Sequence, residues 1–156
     1  GKLALIGKKN EIIFEQAQEL YANRANKNKK SFDINDFDVS FSRGLSLEDG
    51  ATTLTEFTAN IISSSLIDIK KKEKKLTKIL VCGGGRKNKV LMQFIEKKIP
   101  SSLNLELIDK YAINGDFVES QAFAFLAIRS FIKLPITFPN TTNCKKPSEG
   151  GEIIIN

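Results

Sequence analysis

One stretch, Ile79 to Asn88, constrains this chain more than any other. Four apolar, strand-forming residues lead into Gly83, Gly84 and Gly85, which are followed by a basic pair, an Asn and a helical pattern. A strand that ends in glycines and opens a helix brings backbone N–H groups close to a ligand, with the positive end of the helix dipole behind them. The stretch therefore predicts nucleotide or sugar-phosphate binding, but it names no reaction.

The glycines have a simpler interpretation as a tight strand-to-helix turn, although three in a row favour ligand approach. The dinucleotide-binding pattern G-x-G-x-x-G would need a glycine where Asn88 stands, so a Rossmann dehydrogenase is left open without being favoured. The Walker phosphate loop is absent from the sequence. Asn88 is predicted to cap the following helix, to hydrogen-bond a ribose or base, or to do both.

Length and charge narrow the class of protein. The 156 residues fit one domain or one lobe of a larger protein, and no run of 18 apolar residues predicts a membrane span. Much of the net charge of +6 lies in the lysines between 70 and 78, without interleaved aromatic residues. We interpret this block as a solvated linker after a helix and expect no nucleic-acid partner. The start lacks both Met and a signal-peptide core, so we expect a trimmed chain or part of a longer protein.

The two cysteines, Cys82 and Cys144, match no metal-ligand spacing, and the sequence contains no His. Zinc sites and Ser-His-Asp catalysis are therefore poorly supported, and we expect no metal site formed by the chain itself. Because Cys82 ends an apolar strand, we predict that it is buried as a small hydrophobic residue. That interpretation favours a reducing, cytoplasmic compartment.

The order of elements predicts an α/β fold. Helical or strand periodicity and turn residues divide the chain as follows: a helix over 11–24, a loop over 23–30, an irregular connection over 31–38, a helix over 48–68 after a capping box at 46–49, a strand over 77–82, a helix over 87–98, a strand over 103–108, a helix over 117–134 and an edge strand over 153–155. Strand–helix–strand spacing favours parallel strands, with the two earlier helices packed on the sheet. The glycine turn and the loop from Asp109 to Gly115 would then meet at the carboxyl edge of the sheet, where such folds bind ligands.

Two carboxylates stand at the start of the last long helix. Asp116 and Glu119 have the spacing of a capping pair, and a carboxylate bordering the crevice could alternatively bind sugar hydroxyls. The alanines and aromatic residues over 122–127 predict close packing of this helix on the sheet.

Four stretches match the motifs of one family in order. Residues 81–92 resemble the VCGGGxxNxxLM segment of anhydro-N-acetylmuramic acid kinases. Residues 30–37 are similar to the family's KSLDRNDF, residues 45–55 to its LSLEDGAATLT and residues 116–127 to its DAMEALAFAWLA. Ile34 stands where KSLDR has Arg, which puts a charge-based role of that loop in doubt.

The resemblance implies a fold and an activity. The family belongs to the superfamily of sugar kinases, actin and heat-shock ATPases, whose two ribonuclease-H-like lobes enclose ATP. Its members use Mg-ATP to convert 1,6-anhydro-N-acetylmuramic acid to N-acetylmuramic acid 6-phosphate in cell-wall recycling. By resemblance, Gly83, Gly84, Gly85 and Asn88 would form the adenosine side of the ATP site. Glu119, with Asp116, would line the sugar side of the cleft.

The family's G-T-S-x-D-G phosphate loop and its D-x-G-x-G-N segment, which carries the catalytic Asp, are both absent from the sequence. We therefore expect residues 1–156 to form a single, partial lobe, the carboxyl-terminal one, that lacks its amino-terminal partner and is inactive alone. The alternatives are a non-catalytic nucleotide- or sugar-binding module and a decayed kinase-derived domain. A homodimer is left open.

Overall fold

A computed structural model describes residues 1–24 and 37–154. Its helices are α1 (Lys2–Ile6), α2 (Glu11–Arg24), α3 (Leu47–Lys72), α4 (Lys89–Lys98), α5 (Val118–Phe131) and α6 (Pro139–Thr142), and its strands are β1 (Lys78–Val81) and β2 (Asn104–Leu107). Single 3-10 turns span Ser40–Ser42, Gly84–Lys87 and Ile108–Tyr111. Outside the described residues lie 25–30 of the predicted loop over 23–30 and 31–36 of the predicted connection over 31–38, with the family-like stretch around Ile34.

Helix α3 is the centre of the fold. The Ser46 hydroxyl caps it by accepting a hydrogen bond from the Asp49 N–H at 3.1 Å. The predicted capping box is only half formed, because the Asp49 carboxylate accepts from the Lys8 N–H at 2.8 Å. Small buried residues on α3 allow α1 and α4 to pack closely against it: Gly50, Thr52, Thr53, Ala59 and Ser63.

The predicted helix over 11–24 is confirmed as α2, but its packing partner is α3 and not the sheet. Phe14 and Ala17 of α2 are buried against Phe57 of α3. The ring of Phe41 meets the edge of the Phe57 ring, with their centroids 5.1 Å apart. Burying a phenylalanine side chain contributes roughly 1.5–3 kcal/mol, so this aromatic cluster holds α2 in place.

The predicted parallel strand–helix–strand unit is confirmed. Strands β1 and β2 pair in parallel, with Lys78 opposite Asn104 and Val81 opposite Leu107. Helix α4 makes the crossover between them and buries Val90 and Ile95. Among the described residues the sheet has these two strands alone. The chain is therefore an α/β protein with a short parallel sheet, whose two outer edges pair with no further strand in the described part of the chain.

The lysine block ends α3 and connects it to the sheet. Lys70, Lys71 and Lys72 occupy its last turn, where cations suit the helix dipole. The Lys70 ammonium donates to the carbonyl oxygens of Lys74 and Leu76, each at 2.7 Å. These bonds agree with the interpretation of the block as a linker after a helix.

The predicted packing of the last long helix is wrong. Helix α5 forms, but none of its residues is buried, and Phe123, Phe125 and Phe131 are 59–69% exposed. The prediction fails because a sheet of two strands is too narrow to cover the apolar side of α5. A helix of 14 residues has little intrinsic stability in water and normally depends on packing of its apolar side. In the described part of the chain, the apolar surface of α5 has no such packing.

Two smaller predictions also fail. Cys82 is exposed, because the short sheet leaves the end of β1 uncovered. Residues 153–154 form no strand, and residue 155 lies outside the described part of the chain. The carboxyl region instead folds back through an isolated antiparallel bridge between Thr137 and Ser148. Across 1–24 and 37–154, no helix has both the length and the apolar character needed to span a membrane.

Candidate functional site

The glycine turn joins β1 to α4. Gly83 has a φ of +78°, a backbone conformation that favours glycine strongly over residues with a side chain. Residues Gly84–Lys87 then form one 3-10 turn, and Asn88 caps α4 by accepting a hydrogen bond from the Leu91 N–H at 3.2 Å. The predicted capping role of Asn88 is confirmed.

Gly84 and Gly85 are not required by the backbone of this turn. Their φ angles lie outside the left-handed region, in contrast to that of Gly83. A Cβ built on Gly84 would have no atom within 4 Å, and one built on Gly85 would meet Leu91 Cδ2 at 3.8 Å, an ordinary contact. Neither conformation nor packing within the described residues therefore explains the absence of side chains at these two positions.

The second predicted loop reaches the same edge of the sheet. The Gly83 N–H donates to the Gly115 carbonyl oxygen at 2.9 Å, which joins the glycine turn directly to the loop that precedes α5. The predicted meeting of these two loops is thus confirmed. An open, largely apolar cavity of about 340 Å³ borders the turn at Gly85 and extends along β1 between α3 and α4.

Sequence reasoning missed the residue that organises this junction. The Arg86 side chain is only 6% exposed, and its Nε and Nη2 donate to the two carboxylate oxygens of Asp109 at 2.9 and 3.0 Å. Its Nη1 donates to the Gly83 carbonyl oxygen at 2.9 Å and to Asp116 Oδ1 at 2.6 Å. The sequence did contain a signal for these ion pairs, because a basic residue lies inside the turn and two acidic residues, Asp109 and Asp116, lie in and beside the loop predicted to meet it.

These contacts shift the pKa values of the groups involved. Hydrogen bonds from Arg86 lower the pKa of Asp109, with the Gly115 N–H as a second donor. Arg86 and then Lys87, whose Nζ lies 2.7 Å from Asp116 Oδ2, lower the pKa of Asp116 to about 2. The two carboxylates raise the pKa of Arg86 in turn. Arg86, Asp109 and Asp116 are therefore all ionised at neutral pH.

The capping-pair interpretation of Asp116 and Glu119 is wrong. Phe117 occupies the N-cap position of α5, and no side-chain hydrogen bond caps the helix. The Asp116 carboxylate is engaged by Arg86 and Lys87 instead, because they bring two cations within hydrogen-bond distance. Glu119 lies exposed in the first turn of α5, and its carboxylate has no hydrogen bond or ion pair with any residue in 1–24 or 37–154.

The acidic side chains at this edge are not arranged to hold a metal ion. Within the described ranges, no group of three or more His, Cys, Asp or Glu side chains is placed to hold a metal. Asp109 and Asp116, the carboxylates beside the glycine turn, are already neutralised by Arg86 and Lys87 together. The residues present therefore do not fit a Mg²⁺ site.

The Asp116 ion pairs predict a pH-dependent contribution to stability. Because the pKa of this carboxyl falls from 3.8 to about 2 on folding, the pairs stabilise the folded state above about pH 4 and lose that effect as the pH falls toward 2. We expect Asp116→Asn to lower the urea midpoint at neutral pH, with the difference from wild type shrinking between about pH 4 and pH 2.

The matched control for this measurement is Asp68→Asn. Asp68 lies on the exposed surface of α3, where it pairs with Lys71 at 3.1 Å, and exposed pairs of this kind contribute little. Its urea midpoint should stay close to that of the wild type across the range. A difference between wild type and Asp116→Asn that is unchanged at pH 2 would contradict the assigned pairs.

Together, the fold and this edge define an α/β protein of the kind that binds ligands beyond the carboxyl ends of parallel strands. Residues 9–156 match the sequence profile of anhydro-N-acetylmuramic acid kinases. The chain belongs to the anhydro-N-acetylmuramic acid kinase family, as its motifs predicted.

Curated relatives with that name agree. The chain is 53% identical to the anhydro-N-acetylmuramic acid kinase of Pelagibacter ubique, over 100% of the chain and 42% of the relative. It is 39% identical to that of Zymomonas mobilis and 41% identical to that of Rhizobium rhizogenes, over 80% of the chain and 33% and 32% of those relatives. The chain therefore spans less than half the length of these kinases. The expected carboxyl-terminal position of the chain and the expected missing amino-terminal lobe are not supported by these matches.

Proposed function

We propose that this chain is part of an ATP-dependent kinase that converts 1,6-anhydro-N-acetylmuramic acid to N-acetylmuramic acid 6-phosphate. Family membership supports the activity, and the glycine turn supports a nucleotide site within this chain. The observation that carries the proposal is the open space at Gly84. Since the fold does not require a glycine there, close approach of a ligand to the main chain explains it.

The adenosine part of ATP is assigned to the glycine turn. Gly83, Gly84 and Gly85 would let the nucleoside lie against the main chain, and the apolar cavity beside Gly85 offers a surface for a base. Asn88 uses its carbonyl oxygen to cap α4, which leaves its amide NH₂ as a donor toward the ribose.

The sugar side is assigned to the start of α5. Glu119 has a carboxylate with no described partner and would accept hydrogen bonds from sugar hydroxyls. Asp116 borders the same cleft, but its oxygens are occupied by Arg86 and Lys87, so it would shape the cleft and not compete for the sugar.

We also propose that this chain forms part of one ribonuclease-H-like lobe, which residues outside this chain continue. The short two-stranded sheet and the exposed apolar surface of α5 support it, because a parallel sheet is normally covered by helices on both faces and apolar helix surfaces are normally buried. Residues outside the chain would then add strands, cover α5 and supply the phosphate loop, the catalytic Asp and the ligands of Mg²⁺. A cytoplasmic role in cell-wall recycling and a homodimer stay predictions.

The proposal is tested on the complete kinase polypeptide that contains this chain. Incubated with Mg-ATP and 1,6-anhydro-N-acetylmuramic acid, it should yield a sugar that has gained one phosphoryl group and one water, detected by mass spectrometry. The same incubation with an already hydrolysed N-acetylmuramic acid separates opening of the anhydro ring from simple phosphorylation. Binding of ATP without any product would favour the alternative, a non-catalytic nucleotide-binding module.

A further inference from the structure

The Arg86 guanidinium joins the glycine turn to the loop that precedes α5, and we call this set of contacts the junction. It holds Asp109, Asp116 and the Gly83 carbonyl at once, while its side chain is almost fully buried. We propose that Arg86 is a positioning residue that fixes the glycine turn against the loop carrying Asp116, so that the nucleotide and sugar sides of the cleft keep one relative arrangement. The inference rests on the proposed function, because it assigns a role within that cleft.

The geometry uses the planar fork of arginine. Nε and Nη2 hold both oxygens of Asp109 in a bidentate pair, and Nη1 is left to bridge Gly83 and Asp116. An ammonium group is a point charge on a flexible stem and cannot hold the same three partners in one plane. Charge alone would therefore not reproduce the junction.

Gly115 is independent evidence that the fold reserves space for the Arg86 guanidinium. This residue is buried, and its φ lies outside the left-handed region, so its backbone conformation does not require glycine. A Cβ on Gly115 would lie 2.7 Å from Arg86 Nε and 2.8 Å from Arg86 Cζ. A side chain at position 115 would therefore have to displace the guanidinium and the Asp109 carboxylate, whose Oδ2 would lie 2.9 Å from the Cβ.

Both sides of the junction therefore depend on the same contact. The Gly83 carbonyl accepts from Arg86, and the Gly83 N–H donates to the Gly115 carbonyl, so a shift of the guanidinium moves the glycine turn and the second loop together. Since Gly83 begins the proposed adenosine side and Asp116 lies three residues before Glu119, misplacement of Arg86 should weaken nucleotide binding without removing a ligand-contacting group.

The test measures ATP affinity by calorimetry in the complete kinase and in three variants, Arg86→Ala, Arg86→Lys and Gly115→Ala. We expect each to weaken ATP binding about tenfold, with unfolding midpoints reported alongside. The double variant Arg86→Ala/Gly115→Ala should bind ATP about as weakly as either single variant, because both remove one contact. If Arg86→Ala does not fold, Arg86→Lys carries the same comparison.

Lys71→Met is the matched control, because Lys71 pairs with Asp68 at 3.1 Å on the exposed surface of α3 and has no hydrogen bond or ion pair with either loop among the described residues. This variant should keep ATP affinity within about twofold of the wild type, since it loses only an exposed pair on α3. Wild-type affinity in Arg86→Lys, or additive losses in the double variant, would overturn the positioning role. A wild-type kinase that binds no ATP would instead overturn the proposed function.

Discussion

The 156-residue chain alone is expected to transfer no phosphoryl group from ATP to 1,6-anhydro-N-acetylmuramic acid. Phosphoryl transfer depends on a metal ion, a phosphate cradle and an oriented nucleophile held together. The sequence lacks the family's G-T-S-x-D-G and D-x-G-x-G-N segments, and the described residues form no metal cluster. Because such alignment is worth effective molarities of about 10⁵ M or more, the rate should fall at least about 10⁵-fold below that of the complete kinase.

Phosphorus NMR of the chain incubated with Mg-ATP and the anhydro sugar checks this expectation. The complete kinase at equal concentration shows that the assay detects the product. A Gly84→Val variant of the chain serves as the background control, because any trace of contaminating kinase gives the same signal in both samples. Sugar phosphate that appears with the chain and disappears with the variant would show that the chain holds a complete active site.

Local sequence signals predicted the part of the fold that depends on neighbouring residues. The periodicity of Ile12, Phe14 and Ala17 places α2, and the Ser46 and Asn88 caps mark the starts of α3 and α4. The apolar run that ends in glycines gives β1 and its turn, and the parallel pairing follows from the length of the crossover. The edge at which the two loops meet was predictable for the same reason.

Contacts between distant residues were not predictable from these signals. Arg86 stands 23 residues before Asp109 and 30 before Asp116, and only the crossover brings the three together. Cys82 and α5 are exposed because the sheet has few strands to cover them. Hydrophobic periodicity and capping residues do not indicate how many strands a sheet will contain. The capping pair at Asp116 failed because a stronger partner, Arg86, competes for its carboxylate.

Gly84→Val is expected to weaken nucleotide binding about 100-fold, which corresponds to roughly 2.8 kcal/mol. The space above Gly84 is empty, so the fold has room for the valine side chain, but its two methyl groups would occupy the surface that the nucleotide needs. Calorimetric titration of the complete kinase with a non-hydrolysable ATP analogue measures the loss, and the thermal midpoint of the variant should stay near that of the wild type.

Two alanine variants distinguish a glycine that the backbone conformation requires from a glycine that leaves room for a ligand. Gly84→Ala should stabilise the protein by about 0.4–1 kcal/mol, because it restricts the unfolded chain at a position where alanine fits. Gly83→Ala should destabilise it by about 1–2 kcal/mol, because a φ of +78° strains any L side chain. The turn would thus contain one glycine that the fold needs and a neighbouring glycine that the ligand needs. Unchanged nucleotide affinity in Gly84→Val would leave the open space above Gly84 without a role and would argue against the nucleotide site.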